Sequence, residues 1–430
     1  MKPFRFIHVA DLHLDSPFRG LSGLPAAIRE RMRESTFAAL DRLVRLAMEE
    51  RADFVVIAGD VYDAADRSLR AQIRFQQALE TWAGAGIPAF VVHGNHDPLD
   101  GRAAKLAYPQ SVKFFGADAV EGFPVVTKDR GTIAYVYGVS YGSASVTDNL
   151  AARFDPSDTA QYRIGLLHAN VDGDPAHDNY APCRSRELAD KPIDYWALGH
   201  VHTRQVIRDE KPLIVYPGNI QGRHIRECGE KGCYLVDVDE RGESRLAFHP
   251  LDSVRWYDVR LSIAGLETEQ QLKELLEDET ERLREASDGR AAVARLELAG
   301  RGPLHGLLHE RFYLDELTGL LRAKEANAAE SSPHFPFVWI ESVVDKTGAD
   351  IDADHLMEQA SFLGDLLRLS RASAQEPAAL EALYGEALAP LMGHSALRKL
   401  LAGISSCERE EWHKSAEQLA IDLLADEEAG

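Results

Sequence analysis

The sequence predicts an α/β protein in which two packed sheets are flanked by helices, followed by a small α+β capping domain and a helical C-terminal segment. Three observations predict it. Apolar runs of strand length recur from Phe4 to His249, helical spacing separates the early runs but not all the later ones, and beyond Asp345 Leu, Ala and Glu dominate without a strand pattern. So many strands with so little helix between the later ones suggest two sheets rather than one.

The first strand, FRFIHV, precedes a helix in ERMRESTFAALDRLVRLAMEE, where Phe37, Leu40, Val44 and Ala47 share one face. DFVVIAGD reads as a second strand, and LRAQIRFQQALETWAGAG as a second helix closed by glycine. AFVV, TIAYVYGVS, RIGLLHAN, DYWALGH, LIVYPGN, CYLVDVD and RLAFHP continue the strands. A second unit begins near Arg255. RWYDVRLSI and AAVARLELAG read as strands around the charged helix LETEQQLKELLEDETERLREA, followed by helical HGLLHERFYLDELTGLLRA, a soft polar stretch EANAAESSP and a strand FPFVWIESVV. The predicted boundaries are 1–252, 253–345 and 346–430.

Composition is that of a globular protein, with 45% hydrophobic and 27% charged residues. No apolar stretch approaches the roughly 18 to 20 residues that span a bilayer, and Asp11 and His13 arrive before a signal-peptide core could form. The reading is cytoplasmic, without membrane association. Cys183, Cys228, Cys233 and Cys407 lack the close pairs of a zinc site and are expected to be reduced. The formal charge of −21 argues against an extended basic surface, although bound cations or a partner chain could supply positive charge for a nuclease. The last segment is acidic, with seven Lys or Arg against sixteen Asp or Glu from Lys346 onward.

Five apolar runs end in metal-binding residue types: FRFIHVADLH, DFVVIAGD, AFVVHGNHD, RIGLLHAN and YWALGHVH. Carboxylates (Asp11, Asp60), an amide (Asn95) and imidazoles (His13, His168, His200, His202) suit a pair of hard or borderline divalent ions. Asp11 and His13 are two apart, which on extended backbone points both to one side. Asp60, released by the preceding glycine, is read as the bridging ligand. His96 is the candidate for transition-state stabilisation or protonation of the leaving oxygen, oriented by Asp97. Asp63 is placed beside it in the catalytic group, supporting the metals rather than ligating them. One His at a strand end is usually structural, but five such sites in one order imply a two-metal phosphoester hydrolase.

These blocks resemble the motif series of the calcineurin-like metallophosphoesterases: DLH at 11–13, GDVYD at 59–63, GNHD at 94–97, His168 in LLHAN, and GHVH at 199–202. The resemblance implies a metallophosphoesterase sandwich, one metal on Asp11, His13, Asp60 and His202, the other on Asp60, Asn95, His168 and His200, and His96 as the catalytic histidine. HVADLHLDSPF, VYDAADRS and YPGNIQGRHIRECGEKGCYLVDVD look like the bacterial YhaO group, relatives of SbcD-type repair nuclease subunits. That likeness implies manganese as the metal pair, DNA as substrate, a homodimer through helices of the first domain, and an SbcC-like coiled-coil ATPase of the YhaN type docked on the C-terminal helices.

The loop after Tyr216 departs from the common SbcD form and carries Arg223, His224 and Arg226, candidates to position a DNA phosphate. The sequence therefore reads as a manganese-dependent DNA exonuclease or endonuclease subunit. A phosphatase or small-nucleotide phosphodiesterase on the same metals, and a scaffold without turnover, are the alternatives. The added module favours a large substrate, and the full ligand set disfavours a scaffold.

Overall fold

The computed structural model describes residues 1–428 apart from 19–20, 22, 64–67, 102–103, 157–161, 175–177, 352, 395–396, 399–400 and 402–403. The chain forms two compact units. The first comprises Met1–Asp258, Glu279–Arg295 and Leu320–Ser342, and the second Val259–Asp278, Leu296–Gly319 and Val343–Gly430.

Two six-stranded sheets build the first unit. One contains β1 (Phe4–Val9), β2 (Phe54–Ala58), β3 (Ala89–Val92), β4 (Val112–Phe114), β11 (Gly232–Val238) and β12 (Ser244–Pro250), in the order β12-β11-β1-β2-β3-β4. The other contains β5 (Glu121–Thr127), β6 (Gly131–Gly138), β7 (Arg163–His168), β8 (Tyr195–Gly199), β9 (Gln205–Arg208) and β10 (Leu213–Tyr216), in the order β5-β6-β7-β8-β10-β9. Strands β1 to β4 run parallel, as do β6, β7, β8 and β10. Antiparallel neighbours flank both parallel sets.

Side chains alternate across each sheet, and both faces are buried, which is why the strands read as nearly continuous apolar runs. Phe6, Phe54, Val56 and Phe90 from the first sheet meet Val136, Leu166, Tyr195 and Val215 from the second. Phe6 stacks on Phe54 at 5.0 Å between ring centroids and meets Tyr195 edge-on at 5.2 Å. Buried His8 joins the sheets through the Tyr195 hydroxyl at 3.0 Å and the Leu198 carbonyl at 3.1 Å; burial pushes its pKa down to about 3, so it is a neutral structural group. The outer face of the first sheet, with Ile7, Val55, Ile57 and Val91, is covered by α1 (Ala26–Glu49) and α2 (Leu69–Gly84) through Phe37, Leu40, Phe75 and Trp82. Ser68 caps α2, its hydroxyl accepting the Ala71 N–H at 3.0 Å. The short α3 (Ser185–Ala189) packs on the second sheet, where its Leu188 carbonyl accepts the Trp196 indole N–H at 3.0 Å.

The two-sheet α/β prediction holds. Strands β4, β5 and β9 were absent from the sequence reading; they are short or exposed edge strands, and β5 carries Pro124, so their apolar signal is weak.

A third sheet, in the order β13-β14-β15, comprises β13 (Val254–Ser262), β14 (Ala291–Arg301) and β15 (Val338–Gly348). With it come α4 (Glu269–Ala286), α5 (His305–Leu308) and α6 (Tyr313–Ser331). The stretch EANAAESSP, expected to be a soft connection, is instead largely the second half of α6. Its alanines favour helix, and buried Glu325 accepts the Val338 N–H at 2.8 Å and pairs with Arg284 at 2.8 Å. Trp256, Val293, Phe337 and Trp339 pack with Ile28 and Met32 of α1 inside the first unit.

The C-terminal segment holds α7 (Ala353–Glu358), α8 (Phe362–Gln375), α9 (Pro377–Leu388) and α10 (Ser406–Glu428), with Leu363, Leu367 and Ile421 in its small core. Among the described residues no helix is long and apolar enough to cross a membrane. Cys183, Cys228 and Cys233 are free thiols, and the Cys407 side chain lies outside the description.

Phe54 touches both the aromatic stack and the opposite sheet, so Phe54→Ala should cost about 3–5 kcal/mol. The measurement is urea unfolding, with a lowered midpoint at unchanged slope; an unchanged midpoint would place the inter-sheet core elsewhere.

Candidate metal centre

The parallel strands of both sheets point their C-terminal ends at one place, where β1, β2, β3, β7 and β8 deliver Asp11, Asp60, Asn95, His168 and His200. At three of these strand ends the backbone leaves the strand by turning left-handed: φ is +51° at Asp11, +42° at His13, +51° at Asp60 and +103° at His200. Such conformations cost on the order of 1–3 kcal/mol each for residues with a Cβ and persist only where neighbours hold them. Here the Asp11 N–H donates to the Gly59 carbonyl at 3.1 Å and the His13 N–H to the Asp60 carbonyl at 3.0 Å. Asp11 and His13 therefore converge through a left-handed turn, not through the extended backbone expected from their spacing.

Two glycines let the walls close. A Cβ on Gly199 would lie 1.9 Å from the Ala58 carbonyl oxygen, and one on Gly94 would lie 2.3 Å from Asp60 Oδ1. Only glycine allows the two sheets and the GNHD loop to approach this closely.

The imidazoles fall into two groups joined at Asp60. In one, His13 Nε2 lies 3.1 Å from His202 Nε2 and 3.9 Å from Asp60 Oδ2, with Asp11 within 4.8 Å of both histidines. In the other, Asn95 Oδ1 lies 3.0 Å from His168 Nε2 and 3.2 Å from His200 Nδ1, and Asp60 Oδ2 lies 3.3 Å from His168 Nε2. The opposite nitrogen of every ring has its own acceptor. His13 Nδ1 donates to Asp63 at 2.7 Å, His202 Nδ1 to Glu227 at 2.7 Å, His168 Nδ1 to the Ala58 carbonyl at 2.9 Å and His200 Nε2 to the Asp178 carbonyl at 2.8 Å. These acceptors select the tautomers and turn lone pairs of four rings, an amide oxygen and two carboxylates toward each other. Such an arrangement repels itself unless positive charge sits in it, so the donor set fits a pair of divalent cations.

The electrostatics agree. Burial pushes the Asp11 carboxyl up to about 7, with partial relief from His168. Burial also works against the Asp60 carboxylate, but His168, His13 and His96 outweigh it and hold its pKa well below the usual range. In return, Asp60 overcomes the burial of His168 and raises it to about 9. Without a metal, a proton on His168 meets the carboxylates' demand for positive charge.

His96 stands at the mouth, its side chain 44% exposed and its Nδ1 3.1 Å from Asp63 Oδ1. Its backbone N–H donates to Asp60 Oδ1 at 2.9 Å. Asp97, expected to orient this ring, does not: it is buried and accepts the Val61 N–H at 2.9 Å and the Gly94 N–H at 2.7 Å, tying two motif loops together. Asp63 has that role in its place. It holds His13, His96, the Ser16 hydroxyl and Arg223, whose Nη1 is 3.1 Å away. Burial disfavours its charge, but the bonds to His13 and His96 keep its pKa far below the usual range.

The three loop residues separate. Arg223 turns inward, 13% exposed, onto Asp63 and Glu227; His224 lies 3.4 Å from Glu227; and Arg226 is exposed. Glu227 is the residue that sequence reasoning missed. It is buried in that loop, which Trp256 pins by donating its indole N–H to the Gly222 carbonyl at 3.0 Å. A lone carboxylate among three cationic or titratable neighbours was the available signal. Beside Ser16 opens a cavity of about 510 Å³ lined by Asp15, Phe18, Arg29, Arg33 and Ser68 among others. Of the VYDAADRS stretch, residues 64–67 lie outside the described residues.

Comparison with known proteins gives two family matches: calcineurin-like phosphoesterase over residues 4–204, and the middle domain of metallophosphoesterase YhaO over residues 256–348. The chain is 38% identical to the metallophosphoesterase YhaO of Bacillus subtilis over 351 residues, covering 82% of this chain and 84% of that one. It is 25% identical to the SbcD component of the SbcCD nuclease of Bacillus subtilis, covering 60% of this chain and 70% of that one. It is 26% identical to the DNA double-strand break repair protein Mre11 of Aeropyrum pernix, covering 56% and 59%.

Because Glu227 fixes the His202 ring, Glu227→Gln is expected to weaken divalent-cation binding about 10- to 100-fold. Titration calorimetry with Mn²⁺ reads this, and unchanged affinity would remove Glu227 from the site's support.

Proposed function

Since the chain belongs to the calcineurin-like metallophosphoesterase family, we propose that it is a manganese-dependent DNA nuclease subunit acting with an SbcC-like coiled-coil ATPase of the YhaN type. The observation that carries the hydrolytic reading is the pair of lone-pair clusters joined at Asp60, with His96 held on Asp63 at their mouth. In this proposal one metal is held by Asp11, His13, Asp60 and His202, and the other by Asp60, Asn95, His168 and His200. When bound, two such cations polarise the phosphoryl oxygens and lower the pKa of the attacking water.

The chain's own groups do the remainder. Asp63 fixes His96 through Nδ1, which leaves Nε2 to hydrogen-bond a phosphoryl oxygen or protonate the leaving 3′ or 5′ oxygen. Asp60 and Asp11, both buried, are the carboxylates that would hold the positive charge a polyanion needs in a chain whose net charge is −21. Arg226 and His224 contact a backbone phosphate, and Arg223 acts on it through Asp63.

DNA as substrate is supported by two relatives named as a nuclease component and a DNA double-strand break repair protein. The division into a phosphoesterase domain (1–252), a capping domain (253–345) and a partner-docking tail (346–430) is part of the proposal. The YhaO middle-domain match over 256–348 supports the second of these. Exposed Phe362, Leu369, Trp412, Leu419 and Leu423 give the tail an apolar surface for coiled-coil helices.

Linear duplex DNA, a phosphopeptide and a chromogenic phosphodiester, each assayed with Mn²⁺ and with chelator, test the reading. DNA and the diester should be cleaved only with metal. Turnover of the phosphopeptide with intact DNA would favour a phosphatase. In the same assay Asp60→Asn should abolish cleavage, whereas His96→Gln should keep its metals and lose about 10²- to 10⁴-fold in kcat; full activity of the latter removes the catalytic assignment. Since β15 continues to Gly348, the tail is tested by truncation after that residue. Co-expressed ATPase should no longer co-purify, and its retention would sink the docking role.

A further inference from the structure

A second group of metal-ligating side chains lies in the second unit and has no part in the site above. His305 and His309 are four residues apart on one helical turn, with the His309 N–H donating to the His305 carbonyl at 3.2 Å, so both rings leave the same side. Leu304 and Leu308 are buried beneath the turn. Asp345 comes from β15, and one ligand atom from each of the three lies within 4.8 Å of the others.

Two features distinguish this group from a surface ion pair. The first is the support around it. Thr347 Oγ1 lies 2.9 Å from His305 Nδ1 and donates to Asp345 Oδ1 at 2.7 Å, while the Thr347 N–H donates to the same oxygen at 2.8 Å. The hydroxyl spends its proton on Asp345, so it accepts from His305 Nδ1–H, which leaves His305 Nε2 as a lone pair. One hydroxyl thus fixes a histidine tautomer and a carboxylate rotamer together, the role of the outer groups around metal ligands.

The second feature is Asp345 Oδ2, which is buried and has no hydrogen-bond partner, although the Asp345 side chain is 15% exposed and His309 Nε2 is 3.3 Å away. Ligand atoms at about 2.0–2.1 Å around a tetrahedral zinc ion stand about 3.3 Å apart. The two rings sit edge to face, 4.2 Å between centroids and 71° between planes.

We propose that His305, His309 and Asp345 form a mononuclear Zn²⁺ site that clamps α5 to β15, with Thr347 as the positioning residue and a fourth coordination position open to water. Two nitrogens and one carboxylate oxygen suit a borderline ion such as Zn²⁺ better than Mg²⁺ or Ca²⁺, which prefer oxygen alone. None of the three residues belongs to the proposed dinuclear centre, so the two sites can be counted separately.

The test is the number of zinc ions bound per full-length chain at saturation, read by native mass spectrometry. His309→Gln, on a ring that is 59% exposed, and the near-isosteric Asp345→Asn should each bind one ion fewer than the wild type. Cobalt substitution should lose one visible absorption component in the same variants. Thr347→Val, which keeps all three ligands, should retain the full count with zinc affinity about 10- to 100-fold weaker. Equal zinc counts and cobalt spectra in the wild type and both ligand variants would overturn the proposal. Because metal counts need no turnover, that outcome is distinguishable from failure of the nuclease reading.

Discussion

Buried carboxylates set the terms for the first unit. Asp11 and Asp60 are buried at the C-terminal ends of parallel strands, where an uncompensated charge would cost several kcal/mol. The structure surrounds them with imidazoles whose outward nitrogens are already committed and with the His200 and His96 backbone N–H groups, and the remaining positive charge is that of a proton on His168 or of cations between the rings. Much of the local architecture follows from this requirement. The backbone turns left-handed at four residues to bring the groups inward, and Gly199 and Gly94 remove the side chains that would keep the walls apart.

Rigidity comes from the scaffold behind the cleft. The inner strands of both sheets are buried on each face, so the strand ends are held by cores on either side, and the motif loops are cross-tied by Asp97 and Asp63. A metal centre on strand ends gains positional precision from this arrangement, because the ligands move only as far as the strands do. The division of labour is visible in the carboxylates. Asp60 faces both imidazole groups, Asp63 and Glu227 hold rings, and Asp97 holds backbone.

The inner strands of the first unit, with α1 and α2, were legible because burial on both faces makes those strands uniformly apolar, while the two helices keep one wet face and show a 3.6-residue period; the edge strands β4, β5 and β9 lack that signal. The second half of α6 was misread because its polar residues resemble a linker until the pairing of Glu325 with Arg284 and the Val338 N–H is known. Glu227 escaped notice for a similar reason. Nothing in a loop sequence says which way a carboxylate faces.

By itself the sequence determined the chemistry available: five strand-end blocks, their residue types and their order along the chain. Residue type fixes which atoms can donate a lone pair, and that information is local. Tertiary structure alone decided which lone pairs meet, which ring nitrogen is free, that Asp63 rather than Asp97 orients His96, and that Arg223 faces inward. It also brought His305 and His309 to Asp345, some forty residues away in the chain. These are relations between segments distant in sequence, set by sheet order and by the close approach of backbones, and no local pattern encodes them.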